Sequence, residues 1–142
     1  MSKRSETATL QEVLAAEHAV VFGYGVAGAR LAGADHRRAL AGWSAHGDRR
    51  DRLAGLIAAR GATPVPPAAS YALPSPVRSA GDAVALLAEL EERLADVWAD
   101  AVGRLTGDLR GLAATGLADA AVAGARWRGT SLAFPGLPER AP

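Results

Sequence analysis

The 142-residue sequence contains no cysteine, one lysine, one methionine and one isoleucine, and aromatic side chains make up only 5% of it. The absence of cysteine excludes a disulfide framework, a thiolate nucleophile, a zinc ribbon and an iron-sulfur site together. β-Branched apolar residues are scarce, ten valines and the one isoleucine, whereas 34 alanines make up 24% of the chain. That balance favours helix over sheet. Sixteen basic residues, fifteen of them arginine, face fifteen acidic ones for a net charge of +1, which excludes the basic footprint of a general nucleic-acid binder. Long hydrophobic runs are missing too. The longest, Ala19 to Ala29, is closed by His18 and Arg30 and falls short of the roughly 20 residues a bilayer requires. Met1 to Glu12 carries Lys3, Arg4, Glu6 and Glu12 without the apolar core of a secretory signal, so a cytoplasmic protein with no membrane contact is expected. The length suits one domain, residues 1–142, able to bury roughly 68–70% of its unfolded surface.

What is present is helical periodicity in four segments. Leu10, Leu14, Glu17, Val21, Tyr24, Gly28 and Leu31 recur in steps of four and three and predict a first helix over about 7–32. Ala39, Trp43, His46, Arg50, Leu53 and Ile57 form the seam of a second, over about 35–60, with Asp35 as its N-cap and Arg60-Gly61 as its basic end and C-cap. Ser79 with Asp82 resembles a capping box with a shortened acid. It opens a third helix, about 79–103, carrying Leu87, Glu91, Leu94 and Trp98. The fourth spans about 106–128, through Leu112, Gly116, Ala120 and Trp127, and the sequence leaves open whether it kinks at Thr115-Gly116. Trp43, Trp98 and Trp127 fall at core spacing and read as packing anchors. His18 points off the seam and reads as a partly exposed helix histidine.

Five of the eight prolines crowd into residues 61–78, so this stretch is not helix. The short turns before and after it make helices 1 and 2, and 3 and 4, antiparallel hairpins. At ~3.1 Å per residue an extended crossover reaches roughly 55 Å, more than the ~37 Å of a 25-residue helix. It can therefore return the chain to the far end and leave helices 2 and 3 parallel. The expected architecture is all-α, a ferritin-like four-helix bundle of two antiparallel hairpins joined by one long proline-rich crossover. Residues 129–142 read as an irregular tail that lays Phe134 and Leu137 on the bundle.

Gly23-Tyr24-Gly25-Val26-Ala27-Gly28 spells G-x-G-x-x-G, the dinucleotide fingerprint. That motif works only as the first turn of a parallel βαβ unit, and nothing downstream supplies a second strand. The four/three spacing also crosses the glycines without a change of phase, so they read as helix positions that allow close packing.

The seams contain charge where apolar residues are expected. Glu17, His46, Arg50 and Glu91 each lie mid-helix, and Asp119 and Arg126 lie at the edge of the fourth stripe. Buried charges must meet one another or an ion. One account is a charge-balanced network of Glu17, Tyr24, His46, Arg50, Glu91 and Arg126, with no cofactor. The other is a di-iron or di-manganese centre using Glu17, His46, Glu91 and Asp119, which this architecture builds from one Glu on each of two helices and a Glu-x-x-His on each of the others. The sequence contains no Glu-x-x-His. Trp43 stands where the acid would precede His46, so the network is the favoured account. Asp48-Arg49-Arg50-Asp51-Arg52 reads as a solvated, ion-paired face.

LAAEHAVVFGYGVAGARL, the AHGDRRDRLAGLIAARGATPVPPAASYALPSPV block, LAELEERLADVW and ADAAVAGARWRG with FPGLPE together resemble a family of small ferritin-like domains of unassigned function found in GC-rich bacteria. The resemblance covers almost the whole chain. Its most specific pieces are Glu17-His18, Tyr71-Ala72-Leu73-Pro74 and Arg126-Trp127. It implies a ferritin-like bundle and carries over Glu17, Tyr24, His46, Arg49, Asp51, Tyr71, Glu91 and Arg126. The resulting expectation is a non-catalytic interaction or small-ligand module, a homodimer through a helix face, binding an unidentified protein or small ligand. The alternative is a di-metal oxidase or peroxidase-like enzyme.

Overall fold

The computed structural model describes residues 2–137. It consists of α1 (Lys3–Gly28), α2 (Gly33–Ala59), α3 (Ala80–Arg104) and α4 (Gly107–Arg128), with no strand among the described residues. No helix among them is long and apolar enough to cross a membrane. The local chemistry explains the boundaries. Ser2 accepts from the Ser5 amide at 3.2 Å, which starts α1 four residues earlier than the apolar spacing predicts. Ser79 caps the Asp82 amide at 3.1 Å while the Asp82 carboxylate accepts from the Arg78 amide at 2.9 Å. This is the expected capping box, with the short acid reaching one residue further back.

Two terminal expectations are corrected. Asp35 does not cap α2: Gly33, at φ +57°, lets the chain turn into the helix from Ala32, and Asp35 pairs with Arg38 in the first turn at 3.2 Å. α1 ends at Gly28, short of residue 32, where the His36 ring nitrogen Nδ1 meets the Gly28 carbonyl at 3.0 Å. α4 runs unbroken through Thr115-Gly116.

α1 packs on α2 and α3, and α3 on α4. Glu6 at the start of α1 binds Arg60 at the end of α2 (2.8 Å) and Thr106 at the start of α4 (2.6 Å). The Thr106 hydroxyl holds the Glu6 carboxyl below its usual range against the effect of burial, and Arg60 adds to it. Arg104, ending α3, pairs with Glu12 at 2.7 Å. The ends of α2 and α3 thus lie beside the starts of α1 and α4, so α2 and α3 run parallel, as the long crossover demands.

That crossover runs up α1. Gln11 both donates to the Thr63 carbonyl (2.7 Å) and accepts from the Val65 amide (2.8 Å). The His18 ring lies 2.9 Å from the Val65 carbonyl, and Phe22 packs on Tyr71 at 5.5 Å. His18 is therefore a buried strap anchor, not an exposed residue. Gln11, His18 and Phe22 share one stripe of α1 at seven- and four-residue spacing.

The core is leucine- and alanine-rich, with Trp98 its largest fully buried side chain. Trp98 and Trp127 are buried as expected, whereas Trp43 is 47% exposed. The reason is a choice between neighbours on α2. Gly42 faces inward because the ring of Tyr24 occupies the space a Cβ would need, 2.4 Å away, and Trp43 is turned about 100° aside. Phe134 and Leu137 remain partly exposed on the tail, and Gly136 between them packs against α3 and α4 at φ +77°. The last residues of the expected tail, 138–142, lie outside the described residues.

Gly116 plays for Trp98 the part that Gly42 plays for Tyr24: an added Cβ would lie 2.4 Å from the indole. Gly116→Ala should therefore destabilise the protein by about 1–3 kcal/mol. Gly25→Ala, where a Cβ meets nothing within 4 Å, should stabilise it by about 0.5–1 kcal/mol through helix propensity. Urea unfolding monitored by circular dichroism measures both, and opposite signs are expected.

Candidate functional site

Three mid-helix residues meet at the centre of the bundle. Glu17 on α1 and Glu91 on α3 are fully buried, and His46 on α2 nearly so. His46 stands between the carboxylates: Nδ1 lies 2.8 Å from Glu17 Oε2 and Nε2 2.8 Å from Glu91 Oε1. A ring with a carboxylate on each nitrogen satisfies both only when it donates from both, as an imidazolium. Burial works against that charge, but the hydrogen bonds and charges of Glu17 and Glu91 outweigh it and push the His46 pKa up to about 9.

Spacing on α1 and α3 completes the arrangement. Tyr24 follows Glu17 by seven residues and Trp98 follows Glu91 by seven, about 10.5 Å along each axis. Because α1 and α3 are antiparallel, each aromatic residue reaches the other helix's carboxylate. The Tyr24 hydroxyl donates to Glu91 Oε1 at 2.5 Å, and Trp98 Nε1 donates to Glu17 Oε1 at 3.3 Å. Trp127 Nε1 on α4 donates to the Tyr24 oxygen at 2.9 Å, which joins the fourth helix to the network. Burial, then the charge of Glu91 and its hydrogen bond, raise the Tyr24 pKa far above the usual phenol value, so Tyr24 remains a donor.

Arginine closes the two outer ends. Arg49 lies 3.8 Å from Glu17, forms an ion pair with Asp119 and stands 5.8 Å over the Trp98 ring. Arg38 covers Trp127 at 3.8 Å.

The sequence-derived site is redrawn at two positions. Arg50 is not in the network; it pairs with Asp51 on the surface at 2.9 Å, and Arg49, one residue earlier, takes the inward place. Arg126 is exposed and contributes only its backbone carbonyl, 3.4 Å from Arg38, because Trp127 is the residue that faces the core. Asp119 is 55% exposed and meets Arg49 rather than the buried carboxylates. Asp51 and Tyr71, carried over by resemblance, lie on the α2 surface and in the crossover. Arg49, carried over by resemblance although its neighbours read as a solvated face, and Trp98 and Trp127, read as anchors, are network members. The Glu-x6-aromatic spacing on both helices was the available signal for Trp98.

The donor set has consequences for ion binding. On α2 the inward histidine is already engaged at both nitrogens, and on α4 the buried pairs three residues apart are Ala113 with Gly116 and Gly124 with Trp127, none of them an acid or a histidine. Among the described residues no cluster of three or more His, Cys, Asp or Glu side chains is arranged to hold a metal ion. Among the described residues Glu91 Oε2 alone is a buried carboxylate oxygen without a hydrogen-bond partner.

Comparison with other proteins places the chain. A model of a domain of unknown function, DUF4439, matches residues 9–139. A conserved hypothetical protein, rv2844, from Mycobacterium tuberculosis is 34% identical, with a TM-score of 0.86 over 91% of this chain and 98% of its own. Ferritin-like, diiron-carboxylate proteins from Bacillus anthracis str. Ames share 15% identity, with a TM-score of 0.76 over the same shares of the two chains. No functionally curated protein matches. The likeness to this second structure shows a shared ferritin-like four-helix fold, and the chain belongs to the DUF4439 family.

Proposed function

We propose that this protein is a non-catalytic ferritin-like module, serving as an interaction or small-ligand domain, whose protonated His46 supplies the positive charge that a metal centre supplies in diiron-carboxylate relatives. One observation carries the reading: both ring nitrogens of His46 lie 2.8 Å from carboxylate oxygens, one on α1 and one on α3. A metal at either ring nitrogen would have to displace a proton and a 2.8 Å hydrogen bond to a buried carboxylate, and His46 is the single histidine in the cluster. The residues present therefore do not fit a two-metal centre, which needs carboxylates from four helices and two free imidazoles. Arg49 beside Glu17 adds fixed positive charge at the same place.

The second reading is a di-iron or di-manganese oxidase or peroxidase-like enzyme using Glu17, His46 and Glu91. Glu91 Oε2, buried and unpartnered, is the feature that favours it. Elemental analysis of protein purified without chelators separates the two. The module reading expects iron and manganese well below one ion per chain, and no thermal stabilisation on anaerobic addition of Fe(II) or Mn(II). One or two ions per chain, lost in Glu17→Ala, would reject it.

The charge state of His46 also gives stability a pH dependence. Its folded pKa of about 9 is raised above the 6.5 of an ordinary histidine. The associated stabilisation is fully present below about pH 6.5 and is lost as pH rises through about 9. A shift of that size corresponds to about 3 kcal/mol. Urea unfolding at pH 6, 7.5 and 9 should show this decline, and His46→Gln should abolish it. The same substitution leaves two buried carboxylates without their cation, at a cost of about 3–5 kcal/mol at pH 7.

A further inference from the structure

The two helical hairpins of the chain are one unit repeated. Glu17 and Glu91, Tyr24 and Trp98, Leu31 and Leu105, and Ala39 and Ala113 are buried pairs, each 74 residues apart. At the same spacing Gly42 and Gly116 lie beneath the two rings, and Gly33 and Gly107 open α2 and α4 at φ +57° and +53°. The α1/α2 and α3/α4 hairpins therefore correspond position by position, through their turns as well as their helices.

On the α3/α4 hairpin the chain's own tail covers the outer groove. A Cβ on Gly136 would lie 2.7 Å from the Ala95 carbonyl oxygen and the Ala99 methyl, and 2.9 Å from Leu117. The tail thus enters backbone first, at φ +77°, a conformation glycine adopts freely. The counterparts of Ala99 and Leu117 in the first hairpin are Gly25 and Trp43. There the groove is open, about 290 Å³ lined by α1, α2 and the turn between them, with Trp43 and Leu40 exposed at its rim. The crossover leaves α2 as the tail leaves α4, but it is held on Gln11, His18 and Phe22 instead. A Cβ on Gly25 would meet nothing within 4 Å. No contact within the chain requires this mid-helix glycine, which is unfavourable for the helix and widens the groove.

We propose that the α1/α2 groove binds an extended, uncharged segment of a partner protein centred on Pro-Gly, the chemistry of Phe134-Pro135-Gly136-Leu137. The covered hairpin supplies the template: a glycine backbone seated between the counterparts of Gly25 and Trp43, with an apolar side chain on either side. His36 is the one lining side chain that gains charge near neutral pH, so a charged segment would find no counter-ion there. The proposal rests on the interaction-module reading and gives it a partner class. Metal content decides that reading and peptide binding decides this one, so the two can fail separately.

Nitrogen-15 NMR of the full chain, titrated with the synthetic peptide Ser-Leu-Ala-Phe-Pro-Gly-Leu of residues 131–137, tests this. Saturable shifts are expected at the Gly25 amide and the Trp43 indole, with a dissociation constant below about 1 mM. Replacing the peptide's glycine by alanine should weaken binding at least about tenfold, because the added methyl meets the walls that exclude one at Gly136. Gly25→Leu, which fills the groove from α1 and leaves the fold intact by circular dichroism, should do the same. No shift at about 1 mM peptide, shifts confined to Ala99 and Leu117, or binding indifferent to both substitutions would overturn the proposal. So would a peptide-free dimer that Gly25→Leu dissociates, which would give the groove to a second copy of the chain.

Discussion

The structure depends on one interaction, the imidazolium of His46 held between two fully buried carboxylates. Apolar burial alone does not fix α2. Only Ala39, His46, Leu53 and Ile57 are buried along its 27 residues, whereas α3 buries ten of 25. Non-directional packing through three small or medium aliphatic residues would tolerate a slide or rotation of α2. Two 2.8 Å hydrogen bonds from one ring to two different helices would not. A displacement of one turn, about 5.4 Å, would strand three charges in the core, and that penalty is what gives the clamp its hold on register.

The aromatic residues follow from the same constraint. Each carboxylate needs donors beyond the imidazolium, and the antiparallel pairing of α1 and α3 brings Tyr24 to Glu91 and Trp98 to Glu17. Rings of that size fit between closely packed helices only where a facing position has no side chain. Gly42 beneath Tyr24 and Gly116 beneath Trp98 supply those positions. Part of the chain's glycine content is thus a steric requirement of the polar core. Gly23 and Gly25 of the apparent dinucleotide fingerprint lie inside an uninterrupted helix, and Gly28 is its last residue.

Fold and site were legible to different depths. Four helical seams, a proline-rich crossover and short hairpin turns were sufficient for the bundle and its parallel α2 and α3. Glu17, His46, Glu91 and Tyr24 stood out because a polar residue in an apolar seam is anomalous wherever the seam is well defined. The rule weakened on α2, where apolar residues are few and adjacent positions fit a four/three spacing equally well. Trp43 displaced Gly42 and Arg50 displaced Arg49 in that reading, although each pair differs by one residue, or about 100° of rotation. What decides between them lies on other helices: the Tyr24 ring excludes a side chain at 42, and Glu17 with Asp119 draws in the arginine at 49. Periodicity within one helix holds no record of either. The same holds for His18, whose partner is a crossover carbonyl 47 residues away.

The central claim concerns the protonation of one ring, and nitrogen-15 NMR of the histidine side chains measures it directly, with His46→Gln assigning the signal. The account predicts that both ring nitrogens of His46 carry protons at pH 7.5 and that deprotonation begins only as pH nears about 9. A neutral tautomer with one bare nitrogen at pH 7.5 would contradict it and restore His46 as a ligand.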